Sequence, residues 1–127
     1  MALLDSVERL RSGLDYHLQR HNVLVSNLAQ AETPGYRPVD LARTEFEGTL
    51  GVAVAKTEAG HIAPPGENGF RVVDDPTAKA GADGNAVDVD REAVKISTNQ
   101  MRYDMLAQLA SSELATLEWA ATDGRTG

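Results

Sequence analysis

Thr33-Pro34-Gly35-Tyr36 ends the first of two long helical patterns in this chain, and it decides how the chain is organised. Proline disfavours helical backbone at the residue before it, so a helix that arrives from the amino terminus stops at Thr33. Pro34 has a fixed negative φ and Gly35 accepts a positive one, as the central positions of a type II turn require. The sequence therefore predicts a helix, a tight turn and an extended segment that starts at Tyr36.

Mostly apolar residues recur at alternating intervals of four and three on both sides of this turn. That spacing is typical of the a and d positions of a helix that packs along a partner helix. The first series is Leu3, Val7, Leu10, Leu14, His17, His21, Leu24, Leu28 and Ala31. The second is Val89, Ala93, Ile96, Gln100, Tyr103, Ala107, Ala110, Leu114, Leu117 and Ala121. We therefore predict two helices, over about residues 3–31 and 88–121, that pair as an antiparallel coiled coil.

The seam between the two helices is expected to be mainly apolar. The residues predicted to face one another there are Leu10, Leu14, Leu24 and Leu28 on the first helix, and Tyr103, Ala107, Leu114 and Leu117 on the second. Gln100 is a polar residue in this series. It either fixes the register of the pair or lies at the edge of the stripe.

The middle of the chain lacks helical periodicity. Residues 37–84 contain seven of the eleven glycines and four of the five prolines. Two short apolar runs, Leu50–Val54 and Phe70–Val73, are long enough for strands of a small hairpin. The predicted fold class is thus mainly α, with two long terminal helices joined by a long irregular segment that can hold a short β-hairpin. Segments 1–36, 37–87 and 88–127 form one structural domain, in which the last helix ends in a frayed tail.

Composition restricts the kinds of partner. The chain has 127 residues, a formal net charge of −7, only 5% aromatic residues and no cysteine. A negative charge without a basic run argues against binding to nucleic acid or to an anionic membrane, and the lack of cysteine excludes disulfides and thiolate metal sites. No stretch approaches the roughly 20 apolar residues of a membrane-spanning helix, and no cleavable signal peptide is visible. The sequence alone therefore indicates a cytoplasmic protein, unless a signal-independent export route is used.

Candidate chemistry is sparse. His17 and His21 share a helix face and could bind a metal together, but no glutamate follows His17 as in a zincin motif, and two seam positions of partial polarity explain them better. Asp83, Asn85, Asp88 and Asp90 do not have the spacing of an EF-hand loop and suit helix capping; this group lies just before the second helix. We predict no catalytic residue, no metal and no cofactor, and hence no enzyme.

The segment around the turn resembles the signature shared by bacterial flagellar rod, hook and hook-associated proteins, in which an amino-terminal helix ends in an Asn-rich turn and Thr-Pro-Gly-Tyr. Here it reads Ser26-Asn27-Leu28-Ala29-Gln30-Ala31-Glu32-Thr33-Pro34-Gly35-Tyr36. Within that group, a second set of residues is similar to the carboxy-terminal helix of the proximal-rod family, FlgB. This set comprises Asp83, Gly84, Asn85, Val87, Asp88, Glu92, Asn99 and Tyr103. Gln30, Glu32 and Ala93 depart from the residues usual in the two motifs.

The resemblance implies a structural subunit of the flagellar proximal rod. It implies export through the flagellar type III apparatus without a cleaved signal, followed by assembly in the periplasm at the base of the rod. The terminal helices are then expected to polymerise with copies of the same chain and with other rod proteins. The assembly would meet the adaptor proteins of the membrane ring and export gate, and would transmit torque. The residues expected in the turn and in assembly are Asn27, Thr33, Pro34, Gly35 and Tyr36.

A soluble cytoplasmic coiled-coil adaptor or export chaperone is the alternative, with the Thr-Pro-Gly-Tyr turn coincidental. Such a protein need not be required for the flagellar filament, whereas a proximal-rod subunit must be. Loss of motility in a deletion strain therefore distinguishes the two.

Overall fold

The computed structural model describes residues 2–43 and 69–122, and these form a mainly helical chain with one small sheet. The elements in chain order are helix α1 (Ala2–Ala29), strand β1 (Val39–Arg43), strand β2 (Phe70–Asp74) and helix α2 (Val89–Ala121). The predicted fold class is confirmed. The apolar run at 50–54 lies outside the described residues.

Helix α1 ends two residues earlier than predicted, because its last turn tightens. The backbone N–H groups of Gln30 and Ala31 donate to the carbonyls of Asn27 and Leu28, three residues back, at 3.1 and 3.2 Å. Such short-range bonds satisfy carbonyls that the end of a helix leaves unpaired. The predicted turn follows: Tyr36 N–H donates to the Thr33 carbonyl at 3.2 Å, and Gly35 has φ of +75°.

Helix α2 begins one residue after the predicted start, with Asp88 as its N-cap. The Asp88 carboxylate accepts a hydrogen bond from the Arg91 N–H at 3.1 Å, and Asp90 and Glu92 lie in the first turn. Carboxylates at this end of a helix accept hydrogen bonds from its unpaired N–H groups and are attracted by the positive end of the helix dipole. The capping role expected from the sequence therefore belongs to Asp88.

The sheet is an antiparallel pair formed by β1 and β2. Val39 pairs with Asp74, Leu41 with Val72 and Arg43 with Phe70. The sequence indicated β2 as a short apolar run, but it did not indicate that its partner would be the segment just after the Thr-Pro-Gly-Tyr turn. The sheet packs on α1 through Tyr16, whose ring meets Phe70 edge-on at 5.4 Å and whose hydroxyl donates to the Leu41 carbonyl at 2.8 Å.

The two helices run antiparallel, and three contacts fix their register. Asn27 lies beside Glu92, and His17 beside Asn99. Nearer the amino terminus, a Cβ atom at Gly13 would come within 3.0 Å of Leu106. Leu24 is fully buried between the first two contacts and so lies level with the segment from Glu92 to Asn99, not with Tyr103.

The inner face of α2 differs in part from the predicted stripe. Ile96, Tyr103, Ala110 and Leu117 are half-buried as expected, and so are Leu10, Leu14, Leu28 and Ala107. The alternate positions are shifted by one residue, since Glu92 and Asn99 are buried whereas Gln100 is exposed and Leu114 is 55% exposed. Gln100 donates to Asp104 at 3.0 Å on the surface. A stripe chosen by hydrophobicity alone passes over Glu92 and Asn99, which are buried because each has polar partners.

The buried apolar core of the described residues is small and consists of Leu24, Leu41, Phe70 and Ala86. Much of the space between the elements is instead filled by polar side chains that bond to one another. Within the described residues, no helix is long and apolar enough to cross a membrane.

Candidate functional site

The two motifs from opposite ends of the sequence meet where α1 ends and α2 begins. We call this region, formed by residues 27–38 and 83–95, the closed end. Gly35 N–H donates to the Asp83 carbonyl at 3.2 Å, and Ala86 N–H donates to the Tyr36 carbonyl at 2.9 Å. A Cβ atom at Gly84, where φ is +77°, would lie 3.4 Å from the Gly35 Cα. Two glycine turns therefore pack back to back and tie the helix ends together.

Asn27 is the centre of the closed end. Its side chain is fully buried, and its amide uses both donors and accepts twice. Nδ2 donates to the Val39 carbonyl at 2.7 Å and to Glu92 Oε2 at 3.1 Å. Oδ1 accepts from the Val39 N–H at 3.0 Å and from the Tyr36 hydroxyl at 3.1 Å. One side chain thus joins α1, the turn, β1 and α2, and no smaller polar side chain can make all four bonds.

Asn85, which belongs to the other motif, binds the turn that follows α1. Its Nδ2 donates to the carbonyls of Gln30 at 2.9 Å and Thr33 at 2.6 Å, while its Oδ1 accepts from the Val87 N–H at 2.8 Å. Both carbonyls lie in the turn after α1 and also accept a backbone N–H, from Thr33 at 3.0 Å and from Tyr36 at 3.2 Å, so the Asn85 side chain adds a second bond to each from more than 50 positions away. Asn85 therefore holds the turn that follows α1 against the segment that precedes α2.

Glu92, Lys95 and Asp75 form a chain of charged groups beside Asn27, in which the two carboxylates are buried and the lysine is half-buried. Lys95 Nζ contacts Asp75 Oδ2, and lies 3.4 Å from Glu92 Oε1. Burial opposes ionisation of Asp75, but hydrogen bonds from Lys95 and from the hydroxyl and N–H of Thr77 outweigh it and lower its pKa to about 2. Burial also opposes the charge on Lys95, yet the hydrogen bond to Asp75 and the charge of Glu92 raise its pKa. The lysine therefore keeps Asp75 ionised and links β2 to α2.

A second ion pair fastens the sheet to α1. Arg20 binds Asp40 with two parallel hydrogen bonds, Nε to Oδ1 at 2.8 Å and Nη2 to Oδ2 at 3.0 Å. Burial opposes ionisation of Asp40, but the guanidinium of Arg20 and the Leu41 N–H hold its pKa below the ordinary value. The fixed fork of arginine makes this geometry specific as well as favourable.

His17 and Asn99 make a reciprocal pair further along the helices. Asn99 Nδ2 donates to the His17 carbonyl at 2.7 Å, which orients the amide so that its Oδ1 faces His17 Nδ1 at 2.7 Å. Because Oδ1 can only accept, Nδ1 carries the proton. His17 is thus engaged in the helix seam, and within residues 2–43 and 69–122 no group of three or more His, Cys, Asp or Glu side chains could hold a metal ion.

The predicted turn residues divide between interior and surface. Thr33, Pro34 and Gly35 are exposed, Tyr36 is half-buried, and Asn27 is buried. Asn27 therefore acts on any neighbouring molecule only by positioning the turn. Four charged residues that hold the region together were not predicted, namely Arg20, Asp40, Asp75 and Lys95. Only their partners in the folded chain distinguish them from surface charges.

Comparison with known proteins gives the class of the chain. No protein-family model matches it. It is 34% identical to the flagellar basal body rod protein FlgB of Salmonella typhimurium, over 87% of this chain and 89% of that protein. It is 32% identical to FlgB of Escherichia coli over the same shares, and 34% identical to FlgB of Cereibacter sphaeroides over 77% of this chain and 79% of that protein.

All three relatives are flagellar basal-body rod proteins, and each match covers more than three quarters of this chain. The chain belongs to the FlgB family of flagellar basal-body rod proteins. The resemblance read from the two motifs is thereby confirmed.

Proposed function

We propose that this chain is a structural subunit of the proximal rod of the flagellar basal body, and that it polymerises through its terminal helices. The observation that carries the proposal is the similarity to FlgB proteins over nearly the whole length of both chains. The role is mechanical: the subunit connects the membrane ring and export gate to the rest of the rod, and transmits torque. The alternative of a cytoplasmic adaptor or chaperone is not favoured, because the relatives are rod proteins.

The closed end supports a load-bearing role. It is held by directional hydrogen bonds and ion pairs, with the fully buried side chains of Asn27 and Glu92 at its centre. Such contacts resist shear between α1 and α2, because each bond has a narrow range of angle and length. The small apolar core alone gives less resistance, since hydrophobic contacts are non-directional.

The partners proposed for the subunit are copies of itself, the other rod proteins, and the adaptor proteins of the membrane ring and export gate. The proposed location is the periplasmic rod, reached through the flagellar type III apparatus without a cleaved signal. The exposed Thr33-Pro34-Gly35 surface supports contact with a neighbour, because Asn27 and Asn85 hold it rigidly from behind. Neither proposal requires a catalytic or cofactor site.

The proposal is tested in a strain that lacks the gene. We expect no swimming and no rod in isolated basal bodies, with both restored by the wild-type chain supplied in trans. A flagellar gene downstream, measured for expression, controls for polar effects. Intact rods and normal swimming in the deletion strain would contradict a rod function, and rods without filament export would indicate an export role instead.

A further inference from the structure

Tyr16 contacts both strands of the sheet, although it lies outside the predicted seam of α1. Its hydroxyl donates to the Leu41 carbonyl of β1 at 2.8 Å, and its ring packs against Phe70 of β2 with the ring centroids 5.4 Å apart. The guanidinium carbon of Arg43 lies over the same ring, 4.7 Å from its centroid. We call these four residues the Tyr16 anchor.

Two members of the anchor, Arg43 and Phe70, form the last pair of the sheet. They are direct partners in the antiparallel register, where Arg43 ends β1 and Phe70 begins β2. Opposite residues of an antiparallel pair have Cα atoms about 4.5–5.5 Å apart. Residues 44–69 therefore leave the sheet and return to it at one place, and Tyr16 contacts both residues that bound them.

The contact between Arg43 and Tyr16 depends on charge and not on burial. Arg43 is exposed, and none of the ion pairs in the described part of the chain includes it. A Cβ atom at Gly13 would lie 3.7 Å from Arg43 Nη2, so the guanidinium reaches the surface of α1 at a position without a side chain. A guanidinium within about 6 Å of a tyrosine ring centroid is attracted by the negative face of the ring. This attraction holds the end of β1 on α1.

The Tyr16 anchor is separate from the closed end. Tyr16 precedes Asn27 on α1 by about 16 Å, at the rise of an α-helix. Asn27 binds Val39 at the start of β1, and Tyr16 binds the end of the same strand. Strand β1 is therefore fixed to α1 at two points, one at each of its ends.

We propose that Tyr16 is a positioning residue for the middle of the chain, and that its ring face, through Arg43, fixes the place on α1 from which residues 44–69 leave. The hydroxyl and the Phe70 contact hold the strands, and the cation–π contact holds the last residue of β1. The inference is independent of the proposed function, because its test needs only the purified full-length chain.

A double-mutant cycle between Tyr16 and Arg43 separates this role from ordinary packing. Arg43→Gln is made in the wild-type chain, in Tyr16→Phe, which keeps the ring face, and in Tyr16→Leu, which removes it. Amide hydrogen exchange of β1 and β2 is followed by NMR, with the Ala86 and Val87 amides of the closed end as internal references. We expect Arg43→Gln to speed exchange of the strand amides about two- to fivefold in the first two backgrounds, and to have no further effect in Tyr16→Leu.

The control is Arg37→Gln, which removes an exposed arginine just before β1 and should change none of these rates. An equal effect of Arg43→Gln in the wild-type chain and in Tyr16→Leu would overturn the proposal, because the arginine would then act without the ring. No effect in the wild-type chain would overturn it as well.

Ring-current shifts give a second measurement, which decides the matter if Tyr16→Leu unfolds the hairpin. The side-chain protons of Arg43 should resonate upfield of their unfolded positions in the wild-type chain and in Tyr16→Phe. Unfolded values in both proteins would show that the guanidinium does not lie over the ring, and the proposal would fail.

Discussion

Asn27 Nδ2 donates a hydrogen bond to Glu92 Oε2 at 3.1 Å, so two buried polar residues, one from each terminal helix, contact each other across 65 positions of sequence. The bond joins one residue of each motif by which the family resemblance was made. It fixes the ends of α1 and α2 at a single register, and the turn that follows α1 then leaves in a fixed direction.

The first prediction concerns this contact. Asn27→Asp removes the two amide donors and places a second carboxylate beside Glu92, with both groups buried. We expect the substitution to destabilise the closed end by on the order of 3 kcal/mol and to stop the strain from swimming. Asn22→Asp, an exposed substitution on the same helix, is the control. Limited proteolysis within residues 30–38 measures the effect, and equal cleavage of the two variants would contradict the role given to Asn27.

The second prediction concerns the turn. Nothing lies within 4 Å of a Cβ atom at Gly35, so the cost of a side chain there comes from the backbone φ of +75° alone. We expect Gly35→Val to lower the stability of the turn by about 2 kcal/mol and Gly35→Asn to lower it much less, since asparagine tolerates positive φ. Pro34→Ala should be milder than Gly35→Val, because it removes a restraint without adding strain.

Motility and rods in isolated basal bodies give the measurement for the turn. Gly35→Val protein should be made and presented for export but should build little rod, whereas Gly35→Asn and Pro34→Ala should build more. Gly81→Ala is a matched control, because a Cβ there meets only ordinary contacts at 3.5 Å. The assignment fails if Gly35→Val assembles normally while Pro34→Ala does not.

The third prediction concerns pH. The pKa of Asp75 is lowered from 3.8 to about 2, so the unfolded state binds a proton before the folded state does. The stabilisation is present above about pH 4 and is lost as the pH falls through about 2, and it amounts to roughly 2 kcal/mol. The carboxyl carbon of Asp75, followed by NMR, should titrate near pH 2 in wild type. In Lys95→Met it should titrate well above that value, and an unchanged midpoint would show that Lys95 does not keep Asp75 ionised.

The fourth prediction separates a leucine of α1 that is buried in the seam from a leucine of α2 that is exposed. The side chain of Leu24 is fully buried, with 0% of its surface exposed, whereas Leu114 is 55% exposed. Leu24→Ala should lower the helix content and lose about 2–5 kcal/mol, the range for a buried leucine. Leu114→Asp should leave the helix content of the purified chain unchanged by circular dichroism. An equal loss of helix content in both variants would show that Leu114 is buried in the seam.

The sequence by itself determined the two helices, the turn after α1 and strand β2, but not strand β1, and it indicated the class of the protein. The proline and glycine at 34 and 35 stop α1 by local sterics, Asp88 caps α2 through its neighbour three residues on, and the heptad spacing gives the helix lengths to within two residues. These are short-range effects, which a sequence displays directly. The family motifs were visible for the same reason, because each is a run of nearby positions.

Only the tertiary structure decided the register and the polar contacts. Hydrophobic spacing selected Gln100 and Leu114 for the seam, yet Asn99 and Glu92 are the buried residues, because His17 and Asn27 supply hydrogen bonds that offset their desolvation. Asp75 and Lys95 resemble ordinary surface charges until β2 is placed beside α2. A polar side chain is buried only when its partner is within about 3 Å, and the fold, not the local sequence, brings the partner there.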